Sequence, residues 1–295
     1  GGTIIYAAFA SDPSAAPTLA DSFGSKLYTG TSATHSITGL GFSPSFVWTK
    51  DRDNAEQHVL SDIVRGAGND ISSNSTAAQV NRPTGFLSFD TDGFTLGTDG
   101  GGIINDSAKG PYVAYNWKGN AVPTINTDGT IQSIASANQA AGFSIVKYDG
   151  TQAAGATVGH GLGAVPEMII VKRLDFAEDW VVYHSSLGNT KTLNLNTTDS
   201  EVTDAAFNDT TPTSSVFTLS NCASGSCINS NSGTYISYCF ASISGFSKIG
   251  SYTGDGSAGQ TITLGFELSW ILIKSTVGTA NWVLYDTARG IMNGY

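Results

Sequence analysis

The chain repeats one pattern three times, and this repeat restricts the folds open to it more than any other feature. Each copy begins with glycine, carries a run of apolar residues and ends with lysine nine residues later. An aromatic ring follows each lysine by eight residues. The lysines are 122 and 102 residues apart, so each unit is a small domain and not a solenoid turn of about 20–50 residues. The copies are residues 41–50, 163–172 and 265–274, and the rings are those of His58, Trp180 and Trp282.

Two further segments recur and mark where the units start and end. In the end segments, aromatic and β-branched residues alternate with small ones, which predicts a strand with one buried face. The end segments are residues 2–10, 110–117 and 233–241. The start segments are residues 142–148 and 245–252, with residues 23–28 as a looser copy.

These recurrences predict a division of the chain into units and linkers. The chain is expected to be out of phase with its own repeat, because it opens on an end strand and closes within a unit. The predicted parts are a terminal strand of a preceding unit (1–10), a linker (11–23), β-sandwich unit 1 (24–119), a second linker (120–141), β-sandwich unit 2 (142–241) and the first half of β-sandwich unit 3 (245–295).

Within unit 2, short apolar runs are separated by Gly, Asn and Asp, and no long helical period is present. This pattern predicts an all-β protein built from tandem antiparallel β-sandwich domains of a jelly-roll-like kind. The strands predicted for unit 2 are residues 143–148, 156–159, 167–173, 179–184, 190–196, 216–220 and 234–241.

Composition narrows the classes of function. Charged residues make up 13% of the chain and the formal net charge is −10. A nucleic-acid-binding protein needs a basic surface, and binding to anionic membranes also needs one, so neither partner is expected. The sequence contains no stretch of 18 apolar residues, so no membrane insertion is expected.

The three cysteines, Cys222, Cys227 and Cys239, indicate neither a disulfide framework nor a zinc site. They are interpreted as ordinary thiols of a protein that folds in a reducing cytosol, although the first two could close a small loop in an oxidising environment. The sequence contains neither a Cys-x-x-Cys pair nor a His-x-x-x-His pair, and no Gly-Lys-Ser/Thr follows the glycine-rich segment 97–102. No cofactor is therefore expected.

Two sets of side chains are candidates for ligand binding. Aromatic faces stack on sugar rings, so one candidate is a sugar-binding platform made by Trp180, Tyr183, Trp282 and Tyr285. Their recurrence at fixed offsets favours the alternative, an anchor in the core or between sheets. The second candidate is a calcium site at Asp90 and Asp92, for which a plain turn is the alternative. The repeat lysines are expected to end a strand with the ammonium group in solvent.

Three segments resemble the signature of a known family: residues 245–256 (GFSKIGSYTGDG), 282–289 (WVLYDTAR) and 233–241 (GTYISYCFA). The family consists of tandem β-sandwich domains in tail, fibre and other virion proteins of bacteriophages, similar to laminin-G/concanavalin-like jelly rolls. The resemblance covers most of the chain and is weaker in unit 1, where His58 replaces the tryptophan. It implies a structural virion protein, a tail fibre, spike or surface fibre involved in host attachment. Such a protein is made in the host cytoplasm and located in the virion.

No pair of carboxylates and no Ser/His/Asp set recurs at matched offsets, so the chain is not expected to be an enzyme. The alternative function is a secreted or surface carbohydrate-binding adhesin array. The expected partners are other copies of the chain in a homo-oligomer such as a trimer or fibre, other virion proteins and a host surface glycan. Self-association is expected because an unpaired end strand and an open half-sandwich expose backbone groups and apolar surface. The two ends of the chain could instead complete one another within one molecule, although the continuous repeat favours a neighbouring copy or further sequence as the source of the remaining strands.

Overall fold

The computed structural model describes residues 1–11, 16–99, 102–223 and 226–290, and these residues confirm an all-β protein with several antiparallel sheets. Every strand predicted for unit 2 is present, with its ends shifted by no more than two residues. The described part of the chain also has two short 3₁₀ helices, Pro17–Leu19 and Ser185–Leu187. In chain order the strands are β1 (Thr3–Phe9), β2 (Phe23–Tyr28), β3 (His35–Ile37), β4 (Phe46–Asp51), β5 (Val59–Asp62), β6 (Asn69–Ser72), β7 (Val80–Asn81), β8 (Phe86–Asp90), β9 (Gly93–Leu96), β10 (Tyr112–Trp117), β11 (Thr124–Asn126), β12 (Ser133–Asn138), β13 (Phe143–Asp149), β14 (Ala156–Gly159), β15 (Met168–Arg173), β16 (Val181–His184), β17 (Lys191–Asn194), β18 (Val202–Thr203), β19 (Val216–Leu219), β20 (Thr234–Phe240), β21 (Ser247–Thr253), β22 (Trp270–Ser275) and β23 (Val283–Asp286).

The three large sheets repeat one order of four antiparallel strands. In each sheet the end strand lies between the start strand and the strand that carries the repeat lysine. The lysine strand pairs on its other side with the strand that follows it in sequence. This order is β2–β10–β4–β5 in unit 1, β13–β20–β15–β16 in unit 2 and β21–β1–β22–β23 in unit 3. The sequence repeat therefore corresponds to a repeat of sheet topology.

The end strand of unit 3 is β1, from the other end of the chain. The sequence places residues 1–10 as the terminal strand of a preceding unit, whereas in the structure β1 lies between β21 and β22. Phe9 is opposite Ser247 on one side and Trp270 on the other. Both edges of β1 are thereby paired, which satisfies its backbone hydrogen-bonding groups. The first strand of the chain thus completes the last sheet.

Part of the segment expected to be a linker has regular structure. Within residues 120–141, β11 and β12 extend the sheet of unit 2 beyond β13. Ser133, Ala135 and Ser136 of β12 are buried. These small residues lack the aromatic and β-branched character that marks a strand in a sequence.

The three sheets pack against each other around one central core. This core, a single cluster of buried apolar side chains, draws members from all three units. Phe9, Trp117 and Phe240 occupy equivalent positions on the three end strands. The ring of Phe9 lies 5.7 Å from that of Trp117 and 5.8 Å from that of Phe240, and the last two are 6.4 Å apart. The units are therefore arranged with approximate threefold symmetry about these rings.

Units 1 and 2 each have a second, outer layer. A three-stranded sheet, β3–β9–β8, covers the outer face in unit 1, and the β14–β19 pair covers it in unit 2. A separate apolar core fills each sandwich. The described residues of unit 3 form no outer sheet, and Val283 and Tyr285 on β23 are exposed.

The cysteines differ from their interpretation as three thiols. Cys222 and Cys227 form a disulfide that closes a six-residue loop, and Cys239 is a buried free thiol on β20. The spacing alone does not reveal this pairing, since two cysteines five residues apart can be free thiols in a loop or a bonded pair. None of the helices in the described residues is long and apolar enough to cross a membrane.

Candidate functional site

The polar residues of the repeat meet at the junctions between units. At two junctions a buried tyrosine on an end strand donates its hydroxyl proton to an aspartate of the neighbouring unit. Tyr238 of unit 2 bonds to Asp62 of unit 1, and Tyr115 of unit 1 bonds to Asp286 of unit 3, each at 2.8 Å. Both aspartates stand twelve residues after a repeat lysine. The two junctions are therefore built from the same pair of residues.

An arginine three residues after each aspartate forms an ion pair with it. Arg65 pairs with Asp62 and Arg289 pairs with Asp286 through their Nε atoms. Each guanidinium also donates to a backbone carbonyl of its own unit, at Leu60 or Leu284. The Arg65 side chain is 1% exposed and that of Arg289 is 21% exposed. A buried ion pair of this kind holds the two units in one arrangement, because loss of either partner leaves the other charge buried and unpaired.

The third junction, between units 3 and 2, uses a different pair. Ala7 of β1 stands where Tyr115 and Tyr238 stand, and His184 stands where the aspartates stand. The Nδ1 atom of His184 accepts a hydrogen bond from the Ser186 N–H at 3.2 Å, so the proton is on Nε2, which faces the Tyr6 carbonyl at 3.4 Å. Where the tyrosine is missing, the aspartate is missing too, and no unpaired buried charge results.

Burial lowers the pKa of His184 from 6.5 to about 4. The unfolded chain therefore binds a proton at this residue before the folded chain does, and the free energy of unfolding should fall as the pH falls from about 6.5 to about 4. We expect His184 alone to account for a loss of about 3 kcal/mol. Urea unfolding at several pH values, with parent and His184→Gln, measures it. The variant should show a shallower pH dependence, and identical slopes would contradict the assignment.

The aromatic residue eight positions after each lysine is a second junction contact. The indole N–H of Trp180 donates to the carbonyl of Ser72 in unit 1 at 2.9 Å, and that of Trp282 donates to the carbonyl of Asn194 in unit 2 at 2.9 Å. In unit 1 the equivalent His58 instead accepts a hydrogen bond from Trp48 through Nδ1 at 3.1 Å. Burial lowers the pKa of His58 to about 4, so its imidazole is neutral.

The four aromatic candidates do not form one platform. Trp180 is 0% exposed and belongs to the central core, whereas Tyr183 is buried in the outer core of unit 2, against Phe207. Trp282 is partly buried beside the central core, and Tyr285 is 39% exposed on the outer face of unit 3. Strand alternation explains this separation, since residues three apart point to opposite faces.

Two of the three repeat lysines are not in solvent, contrary to the prediction from the sequence, whereas the third, Lys50, is partly exposed. Lys172 and Lys274 are both 0% exposed. Lys172 donates to the carbonyl of Thr76 across the junction with unit 1, at 3.1 Å. Lys274 donates to the carbonyl of Thr198 across the junction with unit 2, at 3.3 Å. Burial lowers the pKa of Lys172 to about 8 and lowers the pKa of Lys274 as well. Each lysine therefore satisfies a carbonyl at a junction.

A cleft of about 430 Å³ lies where units 1, 2 and 3 meet. Apolar and aromatic side chains predominate on its walls, and amides and hydroxyls lie among them. This volume is within the range of about 300–1,000 Å³ that small-molecule sites occupy. The side chains that line it include Trp48, His58, Leu195, Leu272 and Trp282.

Of the two aspartates considered for calcium, Asp90 braces the β8–β9 hairpin and Asp92 joins the turn of that hairpin to the loop after β3. Asp90 accepts hydrogen bonds from the hydroxyls of Ser88 and Thr95, and Asp92 accepts them from the backbone N–H groups of Gly39 and Gly41. These backbone bonds lower the pKa of Asp92. Among the residues that the structure describes, no three His, Cys, Asp or Glu side chains cluster as a metal site would need.

Sequence reasoning missed the junction tyrosines. One signal was available. Tyr115 and Tyr238 both stand two residues before the last aromatic residue of their end segments, and each of two units has an aspartate twelve residues after its lysine. The third end segment has Ala7 in place of the tyrosine, and the remaining unit has His184 in place of the aspartate. Paired departures of this kind indicate contact between the two positions.

A family model described as "Domain of unknown function (DUF7483)" matches residues 18–295. Neither the comparison with curated proteins nor the comparison with solved structures gave a match.

Proposed function

This chain belongs to the DUF7483 family, and we propose that its three interlocked units make it a structural, non-enzymatic protein of a bacteriophage virion. The proposed place is a tail fibre, spike or surface fibre that takes part in host attachment. Its motifs resemble the repeat domains of such proteins, which supports the location, and the junctions support the structural role.

The observation that carries the proposal is the way the buried polar groups are used. The tyrosine–aspartate–arginine sets, the neutral His184 and the buried lysines all join one unit to the next. Burying such groups costs free energy that only good geometry offsets, so they favour one rigid arrangement of units over affinity for a substrate. Rigidity of this kind suits a particle component that must survive outside a cell.

The disulfide agrees with this location. Cys222 and Cys227 are bonded, and disulfides persist in proteins exposed to oxidising surroundings, such as virion surfaces. A protein made in the host cytoplasm would form this bond after release. The homo-oligomer and the contacts with other virion proteins remain part of the proposal.

The test is immunological, on a phage whose genome encodes this chain. An antibody raised against the folded chain should label purified particles in electron micrographs and should slow their adsorption to host cells. The same antibody absorbed with the chain beforehand is the control. Particles that carry no label, and from which mass spectrometry recovers no peptide of the chain, would exclude a virion component.

A carbohydrate-binding adhesin is the second candidate, because Trp48, His58 and Trp282 bring aromatic rings to the cleft. Against it, the indole N–H of Trp282 is already engaged by Asn194, and Trp180 is fully buried. Binding on a panel of bacterial surface polysaccharides that Trp282→Ala abolishes, with Phe176→Ala as an exposed-aromatic control, would favour this candidate.

A further inference from the structure

The large sheets of units 1 and 2 differ at the edge where their start strands lie. In unit 2 the start strand β13 pairs with β12 on one side and with the end strand β20 on the other. In unit 1 the start strand β2 pairs, within the described residues, only with the end strand β10. The free side of β2 therefore presents backbone N–H and C=O groups that a further strand can pair.

The chain that precedes β2 is anchored at the first end of that strand. The N–H of Ser11 is bonded to the side chain of the residue before Trp270, whose ring lies 6.2 Å from that of Phe23. Ala16 is linked to the residue before Phe23 by two successive backbone hydrogen bonds. At a rise of about 3.3 Å per residue, residues 26–28 lie about 10–17 Å further along the strand than Phe23. The free edge at residues 26–28 is therefore remote from both anchors.

A groove of about 550 Å³ opens along this edge, between β2 and β3. Lys26, Tyr28 and His35 line it together with threonine and serine hydroxyls, and Leu27 of β2 is 42% exposed. Like β2, the strand β3 pairs on one side only among the described residues, with β9. The two sheets of the unit 1 sandwich thus meet at this groove with both edges unpaired.

Unit 2 shows how such a groove is closed. The segment 130–138 of the chain runs between β13 and β14, which correspond to β2 and β3. Part of this segment is β12, which pairs with β13, and Ile131 forms a bridge to Val158 of β14. The backbone N–H groups of Thr130 and Thr157 each donate to the hydroxyl of the other residue, at 2.9 and 2.8 Å. An extended strand therefore joins the two sheets of a sandwich along this edge.

The strand β11 has the properties that an occupant of the unit 1 groove needs. It is the outermost strand of the unit 2 sheet, and within the described residues it pairs only with β12. Its central residue, Ile125, is 66% exposed and lies directly opposite Ile134, which is also exposed. Val122, just before the strand, is exposed as well. A row of exposed apolar side chains on an unpaired edge is typical of an interaction surface.

We propose that β11 of a second copy of this chain pairs with β2 and closes the groove of unit 1. Antiparallel pairing with Ile125 of the second copy opposite Leu27 places both side chains on one face of the joined sheet. That face is the one that carries the central core in each copy, since Leu27 lies opposite Val113 of that core. The eight-stranded sheet of one copy would thereby continue into the six-stranded sheet of the next.

The same register brings opposite charges together. With Ile125 opposite Leu27, Asp128 of the second copy is a diagonal neighbour of Lys26, and such neighbours are within reach of long side chains. In its own chain Asp128 is exposed in the turn after β11, where it accepts a hydrogen bond from Asn126. The register is therefore favoured by an apolar pair and by an ion pair at once.

The proposed contact is head-to-tail, because each copy offers β11 to one neighbour and β2 to another. Repetition of a contact between two different surfaces builds a ring or a fibre. A twofold contact of β11 with β11 of another copy would leave β2 and its groove uncovered. The inference rests on the homo-oligomer of the proposed function and supplies the surfaces through which its copies meet.

The experiment measures association of the full chain by sedimentation velocity at about 1 μM to about 0.5 mM, a range suited to small interfaces. The parent chain should form larger species as its concentration rises. Leu27→Lys and Ile125→Lys each place a charge on one of the two edges, which opposes strand pairing. Each variant alone should stay monomeric at concentrations at least tenfold above those at which the parent associates.

An equimolar mixture of the two variants tests the head-to-tail geometry. The Leu27→Lys chain keeps an intact β11 and the Ile125→Lys chain keeps an intact β2, so the mixture should form dimers and nothing larger. The control is Val202→Lys, which changes an exposed residue of β18 at the opposite edge of the unit 2 sheet and should associate like the parent. Thermal melting of each variant shows that it is folded.

Three results would overturn the proposal. The first is a parent chain that stays monomeric over the whole range, which would also remove the homo-oligomer from the proposed function. The second is dimer formation by Leu27→Lys alone, which would show a twofold contact through β11. The third is association that both lysine variants retain, which would leave the homo-oligomer standing with another interface. None of these results decides whether particles carry the chain, which antibody labelling tests separately.

Discussion

Deletion of residues 1–10 is expected to abolish the third sheet and to destabilise the whole chain. The deletion separates β21 from β22, each of which pairs with β1 along almost its full length. It also removes Phe9, whose ring contacts the equivalent rings of the other two units, and losing a buried phenylalanine alone costs about 3–5 kcal/mol. A shift of this size corresponds to a fall in Tm of roughly 6–20 °C. Calorimetry and near-ultraviolet circular dichroism measure it.

The control for this deletion is restoration in trans. A synthetic peptide of residues 1–11 should recover the melting temperature of the truncated chain in a concentration-dependent way, because binding to the folded state alone stabilises it. A peptide with Ile5→Asp and Phe9→Asp should not. A truncated chain that melts like the full chain would show that β1 is not a structural part of the third sheet.

Asp62→Ala is expected to be the most damaging single substitution at the junctions. It leaves the Arg65 guanidinium buried without its counter-charge and removes the acceptor of Tyr238. Breaking a buried pair in this way costs about 3–5 kcal/mol. Chemical denaturation monitored by tryptophan fluorescence gives the difference in unfolding free energy from the parent.

The chain contains its own matched control for Asp62→Ala. Asp286→Ala removes the same residue from the same motif, but Arg289 is 21% exposed and can turn to water, so a smaller loss is expected. Tyr238→Phe removes the hydrogen bond to Asp62 and a longer one from Arg65, and should cost about 1–2 kcal/mol. If Asp286→Ala proved as costly as Asp62→Ala, burial of the arginine would not explain the effect.

The strands and the sandwich architecture were predictable because both depend on local patterns. Alternating side chains and turn residues place seven strands of unit 2 within two residues of where they lie, and miss only the two-residue β18. The position of β1 was not predictable in the same way. All end segments have nearly the same pattern, so the sequence does not say which sheet residues 1–10 join, and only packing around Phe9 decides it.

The candidate site shows the same division. Fixed offsets correctly favour Trp180 as an anchor between parts of the fold, since it is buried and bonded across a junction. The buried lysines were mispredicted because a lysine at a strand end normally reaches water. Here the acceptors of Lys172 and Lys274 come from a neighbouring unit, 96 and 76 residues away in sequence, which no local pattern reveals.

The pairing of β1 also determines when the third sheet can form during translation. Phe9 pairs with Trp270, so β1 must wait for a partner that is made roughly 260 residues later. At about 5–20 residues per second, that delay is on the order of ten to fifty seconds. During this time Ile5 and Phe9 have no sheet to join, while unit 1 and then unit 2 can form their own sandwiches. The central core therefore closes only after translation has passed β22, and yield in a cell should depend on how well β1 is kept from aggregating until then.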